Sequence, residues 1–273
     1  MKSEDPTSRF HEECRINIHA AGQDRDLLRQ SLQWNIDSAK YKYTYNFSVL
    51  GRPIIQFPQD MVQLQELIWQ VNPDLIIETG IAHGGSLIQS ASLLAMLDYC
   101  EAVENQRLLD PKASKRRVLG IDIDIRDHNR SAIETHPMSH LIHMIQGSSI
   151  SEGVVSQVVK FAANYRRVLV ILDSNHTHDH VLAELMAYAP LTSRDSYCVV
   201  FDTIVEDLPD AMFPDRPWGK GNNPKTAVWE YLSRLESGVI RAADGECLQF
   251  RIDKQIEHKL LVTVAPDGYL QRI

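Results

Sequence analysis

Five continuous apolar runs, Leu75–Ile77, Val118–Ile121, Leu141–Ile145, Val168–Leu172 and Tyr197–Phe201, recur along the middle of the chain. Runs apolar on both faces offer no side to water, so they read as strands covered on both sides. The segments near 86–99, 127–135, 152–164 and 178–189 carry the helical periodicity that would supply the cover. This alternation predicts an α/β fold, a doubly wound and mostly parallel sheet with helices on both faces. Further helices are expected over Gln59–Gln70, with Met61, Leu64, Leu67 and Ile68 on its apolar face, and over Pro224–Leu235, where Asn222-Asn223 can cap and Pro224 suits the first turn. Leu248–Ile252 and Leu260–Val264 read as two closing strands, which brings the sheet to seven. The charged stretch Glu101–Arg117 reads as an extended connection.

Residues 1–57 carry little strand signal. A helix is expected over Asp24–Ser38, followed by the aromatic-rich stretch Tyr41–Phe47. The expected organisation is therefore an N-terminal helical and lid segment, 1–57, and a main α/β domain, 58–273.

A chain of 273 residues can build one large domain with an appendage. Its net charge of −8 argues against nucleic acid or an anionic membrane as a partner. The basic clusters Lys115-Arg116-Arg117 and Arg166-Arg167 each precede an apolar run and read as solvated strand entrances. Cys14, Cys100, Cys198 and Cys247 lie far apart without a C-x-x-C, so neither a disulfide framework nor a zinc site is signalled. With no leader-like start and no apolar run of membrane-spanning length, a cytoplasmic location is the default.

In an open α/β sheet, ligands bind beyond the carboxyl ends of the strands. Here those ends are Glu78-Thr79-Gly80, Asp122-Ile123-Asp124, Gly147-Ser148-Ser149, Asp173-Ser174-Asn175-His176 and Asp202-Thr203. The first opens a loop, Glu78-Thr79-Gly80-Ile81-Ala82-His83-Gly84-Gly85-Ser86, whose glycines allow close approach to a ligand at a helix N-terminus. The spacing G-x-x-x-G-G differs from the dinucleotide G-x-G-x-x-G, which argues against a pyrophosphate. Asp122 is placed to accept hydrogen bonds from ribose hydroxyls. Ser148 and Ser149 suit either an adenine edge or the cap of the next helix. Asp173 and Asp202 stand one strand–helix–strand step apart, so adjacent parallel strands would set two carboxylates side by side. Such a pair calls for a hard cation such as Mg²⁺. His176 follows Asp173 closely enough to take a proton from a bound hydroxyl. His178 and His180 receive no role.

Together these residues resemble the class I S-adenosylmethionine-dependent methyltransferases, and more closely the cephalosporin hydroxylase family, which also holds rhamnosyl and macrolide-sugar O-methyltransferases. The resemblance rests on the five strand ends with Asp215-Arg216-Pro217-Trp218-Gly219 and Gly221-Asn222-Asn223-Pro224, and spans about 58 to 270. It implies an S-adenosylmethionine-binding methyltransferase domain and a small-molecule acceptor carrying a hydroxyl on a sugar or antibiotic-like scaffold. It also implies a homo-oligomer. By the resemblance, Glu78 and Gly80 line the methionine and ribose side of the cofactor, with Ala82 and Gly84 in the same loop, and Ser86 holds its carboxylate. Asp122 takes the ribose hydroxyls and Ser148 lies near adenine. Asp173 and Asp202 bind Mg²⁺, and His176 is the general base. Tyr41–Phe47 and Asp215–Asn223 form a lid or, on the plainer reading, pack as core and turn.

One departure is visible. Relatives with this metal site often carry Glu-Asp at the end of the fifth strand, whereas this chain has Phe201-Asp202, and Glu206 or Asp207 are the acids that could replace the missing ligand. Two alternatives stay open: a homologue that binds S-adenosylmethionine without catalysis, and an NAD-type oxidoreductase.

Overall fold

The computed structural model describes residues 5–273. Two helices lead, α1 (Pro6–Gln23) and α2 (Arg25–Ala39), followed by a short antiparallel hairpin, β1 (Phe47–Val49) and β2 (Arg52–Ile54). The main body then alternates: α3 (Pro58–Val71), β3 (Leu75–Thr79), α4 (Gly85–Glu104), β4 (Arg117–Asp122), α5 (Asp127–Glu134), β5 (Ile142–Gln146), α6 (Glu152–Ala162), β6 (Val168–Leu172), α7 (His178–Tyr188) and β7 (Tyr197–Val200). The chain closes with α8 (Pro224–Leu235), β8 (Phe250–Ile252), α9 (Lys254–Leu260) and β9 (Tyr269–Arg272).

Among the described residues one seven-stranded sheet forms in the order β5-β4-β3-β6-β7-β9-β8. The first five strands pair in parallel; β9 runs antiparallel to both β7 and β8. β3 and β6 lie at the middle, where the strand order reverses, and every residue of both is buried. Strand alternation sorts their side chains into two apolar layers. Leu75, Ile77, Val168 and Val170 meet α6, α7 and α8 through Val158, Leu185 and Tyr231. Ile76, Leu169 and Ile171 face α3 and α4, where Leu67, Ile68, Leu87 and Leu94 pack. Removing one such side chain, for example by Ile77→Ala, would cost about 2–5 kcal/mol.

The expected strands and helices of the central body form, with three differences. Glu101–Glu104 continue α4 rather than starting an extended connection. α1 lies outside the expected elements; it carries no buried residue and runs along α9, so its sequence has no apolar stripe to betray it. The third difference concerns Leu260–Val264, which is not a strand. Leu260 ends α9, Leu261 turns at φ 59°, and Thr263 and Val264 are drawn to a buried carboxylate, Asp60 of α3. The closing strand is β9 instead, where Arg272 is buried through hydrogen bonds to the Thr192 carbonyl and Asp244.

Candidate active site

Beyond Thr79 the chain turns through Gly80, Ala82 and Gly84 at φ 88°, 46° and 83°. A side chain on Gly80 would also place its Cβ 2.0 Å from the carbonyl oxygen of Asp173, so both backbone conformation and contact require glycine there. Ala82 holds the left-handed region without being glycine, a local cost that the surrounding bonds must offset. They do so from two sides. Asp122 Oδ2 accepts from the Ile81 and Ala82 N–H groups at 2.8 and 3.3 Å. Arg52 Nε donates to the His83 carbonyl at 3.0 Å, and its Nη2 to Asn129 Oδ1 at 3.1 Å. Gly84 caps α4 without a side-chain hydrogen bond, so the first-turn N–H groups and the positive end of the helix dipole stand free of a capping group.

Glu78 lies beneath this loop at 2% exposure. Its Oε1 accepts from the Ser86 hydroxyl, while Oε2 has no partner. Burial lifts the carboxyl to about 7 against the opposing pull of Ser86. Ser86 is thus committed to Glu78 through its hydroxyl, which leaves the backbone of the helix start, not that hydroxyl, for a ligand carboxylate. Asp122 similarly spends acceptors on the loop, and its Oδ1 also accepts from Asp124 N–H at 3.0 Å. With both lone pairs of Oδ2 on the loop, Oδ1 retains one further lone pair.

Adjacent parallel strands β6 and β7 deliver Asp173 and Asp202, and His176 joins them. One potential ligand atom from each of the three lies within 4.8 Å of the others, and His176 Nε2 is 3.3 Å from Asp202 Oδ2. Trp218 meets the His176 ring edge-on at 4.7 Å between centroids, with Arg216 stacked over Trp218 at 5.1 Å. Burial, then the charge of Asp202, with Glu78, Glu184 and Asp60 adding to it, pushes the Asp173 carboxyl well above the ordinary range. Asp202 itself is left-handed at φ 55°. The following turn is tied down where Ile204 N–H donates to the Val264 carbonyl and the Thr203 hydroxyl to that of Pro266. Asp60 in turn holds Val264 N–H at 3.0 Å and the Tyr269 hydroxyl at 2.7 Å. The C-terminal segment therefore braces one carboxylate of the group.

Neither acid expected to stand in for a missing ligand does so. Glu206 accepts from Gly221 N–H at 2.7 Å and from the Asn223 amide, and Asp207 pairs with the nearly buried Lys225. Both hold the 217–223 turn and the start of α8. Phe201 packs in the apolar layer with Ile171, Val199 and Tyr269.

A cavity of about 270 Å³ joins these parts. The glycine loop and Ser86 form one wall, Asp173, His176 and Asp202 another, and Thr44 and Tyr45 reach in from the N-terminal segment. Neither lysine nor arginine is among its described lining residues. Of the expected lid, Tyr43 packs against Trp34 and Phe47, each at 5.0 Å, while Trp218 stands over His176. A more apolar hollow of about 240 Å³, walled by Tyr43, Phe57, Met212 and Phe213, opens on the other side of Asp202. A third, of about 120 Å³, lies past Asp122 and is lined by Ser148, Ser149, Ser174, Asn175 and His180. α6 starts after Ser151, so neither Ser148 nor Ser149 caps it. His178 bridges α7 to α8 through Thr226 and Glu230, each at 2.9 Å. Gln89 and His180, which the sequence reading left without a role, prove to line cavities. Their only sequence signal is one helical turn of spacing from a strand-end motif.

A sheet of this order, with a glycine loop at the first central strand and carboxylates at the next two ends, defines a methyltransferase-type α/β fold. A CmcI structure with Mg and SAM shares that fold at a TM-score of 0.50 and 15% identity, covering 84% of this chain and 77% of that one. A rhamnosyl O-methyltransferase of Mycobacterium bovis is 26% identical over 218 residues, 78% of this chain and 73% of the relative. Its counterpart in Mycobacterium leprae is 26% identical over 161 residues, 59% of this chain and 62% of the relative. The Rhamnosyl O-methyltransferase/CmcI family model matches residues 41–273, and the chain belongs to that family.

Proposed function

We propose that the chain is an S-adenosylmethionine-dependent O-methyltransferase acting, with a divalent cation such as Mg²⁺, on a hydroxyl of a sugar or sugar-bearing natural product. The observation that carries this reading is the convergence of Asp173, His176 and Asp202 on one wall of the cavity that the glycine loop closes from the other side. The residues fit the groups they would receive. The unpartnered, buried Oε2 of Glu78 suits an ammonium donor, and a cavity with carboxylates but neither lysine nor arginine suits cationic ligands. Two aspartate oxygens beside an imidazole suit a hard or borderline cation that keeps waters for substrate to replace.

Glu78, Gly80, Ala82, Gly84 and Ser86 would hold the methionine end, Asp122 the ribose and Ser148 the adenine. Asp173 and Asp202 would hold the cation. When bound, S-adenosylmethionine supplies a methyl activated by its sulfonium, and Mg²⁺ supplies charge that lowers the pKa of a coordinated hydroxyl. His176 would take the proton of the acceptor hydroxyl, and its edge-on contact with Trp218 fixes the plane of its ring. Thr44 and Tyr45 exclude water from the same space. The free thiols suit a reducing cytoplasm, and the exposed Phe10 and Ile16 on α1 support a homo-oligomer.

The test is methyl transfer from S-adenosylmethionine to a rhamnosyl glycoside, followed by mass spectrometry. Asp173→Asn is expected to abolish transfer with little change in S-adenosylhomocysteine affinity, and His176→Ala to slow it by about 10²–10⁴. A fully active Asp173→Asn variant would remove the cation site. Binding of NAD in place of S-adenosylhomocysteine would overturn the assignment as a whole.

A further inference from the structure

Asp202 keeps its place through support from outside its own strand. Its backbone is left-handed without being glycine, a conformation that lasts only where neighbours over-determine it. Those neighbours come from the segment 264–268. Val200 N–H, two residues before Asp202, donates to the Gly268 carbonyl at 2.8 Å. Just after Asp202, the Thr203 hydroxyl donates to the Pro266 carbonyl and Ile204 N–H to the Val264 carbonyl at 3.1 Å. The segment belongs to no strand, and α3 holds it instead. Asp60, in the first turn of α3 and without exposed surface, accepts from Val264 N–H at 3.0 Å through Oδ2. Its Oδ1 accepts from the Thr263 and Tyr269 hydroxyls, and Thr263 Oγ accepts in turn from Ala265 N–H at 2.9 Å. Both oxygens of Asp60 are thus spent on residues 263–269, and Val264 lines the cavity beside Asp202.

We propose that Asp60 is a positioning residue for the divalent cation: it fixes the 263–268 segment, that segment fixes the turn at Asp202, and the affinity of the site follows. This rests on the reading that Asp173 and Asp202 hold the cation. Asp60 touches neither cation nor substrate. With the segment released, the turn at Asp202 relaxes toward ordinary backbone, and part of the binding free energy goes into restoring it. Removing a group that orients a ligand from behind typically weakens metal affinity by about 10–100-fold. Of Asp202, Glu78, Glu184 and Asp60, whose charges act on Asp173, Asp60 acts most weakly, so its hydrogen bonds and not its charge carry the effect. An amide at this position keeps those bonds. Its oxygen can serve Val264 N–H and its NH₂ group the two hydroxyls, which accept as well as donate.

Mn²⁺ stands in for Mg²⁺ in the test, because the paramagnetic resonance signal of the free ion is lost on binding and reports affinity without turnover. Asp60→Ala is expected to weaken Mn²⁺ binding by about tenfold or more, and Asp60→Asn to stay within about threefold of the unaltered protein. Affinity for S-adenosylhomocysteine, measured without divalent cation, is expected to change by less than about twofold in both variants. A general loosening of the fold would not produce that split. If Asp60→Ala shows no cooperative melt, Thr263→Val, which keeps the shape and deletes one hydroxyl donor, replaces it with an expected loss of about threefold or more. Unchanged Mn²⁺ affinity in the alanine or valine variant, a loss of about tenfold in Asp60→Asn, or equal losses for both ligands would each overturn the role of Asp60. Those outcomes leave the cation site standing. Failure of the unaltered protein to bind Mn²⁺, or equal binding by Asp173→Asn, would remove the cation reading and this inference together.

Discussion

Glu78 is buried with one carboxylate oxygen on the Ser86 hydroxyl and the other without a partner, and its carboxyl titrates near 7 instead of the ordinary 4.5. The folded state therefore holds a proton that the unfolded chain has already lost. In the free protein this costs stability as pH rises from the ordinary carboxyl range through about 7. A ligand ammonium reverses the balance, because it favours the ionised carboxylate. Affinity for S-adenosylhomocysteine is accordingly expected to climb between about pH 6 and 8 and then level off, and Glu78→Gln to flatten that climb in calorimetric titrations. A pH-independent affinity in the unaltered protein would place the ammonium elsewhere. Asp122, Asp173 and Asp202 stand out in the sequence because each follows directly on an apolar run, where an α/β sheet presents its ligand-facing groups, and His176 because it lies three residues beyond Asp173. His180 and Glu184 do not. They lie on α7, and only the packed fold sets His180 beside a cavity and the Glu184 charge near Asp173, a relation that no spacing encodes.

The glycine loop shows how an element inherits its shape from neighbours far away in sequence. Gly80 fits against Asp173, Asp122 holds the backbone at 81 and 82, and Arg52 closes the outer side. Gly80→Ala should therefore do two things at once: force a strained φ and push the end of β6 away. The expected result is destabilisation of about 1–3 kcal/mol in urea unfolding together with weaker S-adenosylhomocysteine binding. A variant that lost stability but kept full affinity would show that the loop closes on the ligand from another arrangement. The glycines themselves were readable as a close-approach turn, since their position between strand and helix has few other uses. Leu260–Val264 shows the opposite case. Its apolar composition matches a strand, yet Asp60 removes it from the sheet by capturing Thr263 and Val264, and Tyr269–Arg272 pairs in its place. A buried carboxylate about two hundred residues upstream is invisible to a local pattern.

Across the whole molecule, the acids gather where the strand order reverses, between β3 and β6, and along β7. Two apolar layers, one on each face of the sheet, hold these strand ends in place. The negative surplus at the cavity predicts that Mg²⁺ alone stabilises the fold. At a hundred times its dissociation constant the gain is about 2.7 kcal/mol. Thermal melting should show an upward shift for the unaltered protein and none for Asp173→Asn. An equal shift in both would mean that the cation binds outside this group. The fold class was the most legible property of all, because runs apolar on both faces and separated by helices admit few other arrangements. The chain's outer parts, α1 and α9, bury little and so left a weaker imprint on the sequence.

Where Gly80 meets the Asp173 carbonyl, the proposed cradle for the nucleoside and the proposed seat for the cation share a wall with no slack. A shift of the loop on entry of a nucleoside would press on the backbone of Asp173, the residue proposed to receive the cation. The two occupants are then thermodynamically linked, and the factor by which Mg²⁺ changes S-adenosylhomocysteine affinity equals the factor by which S-adenosylhomocysteine changes that of Mg²⁺. A single backbone contact would thereby couple the proposed nucleoside and cation sites to the same degree, whichever is filled first.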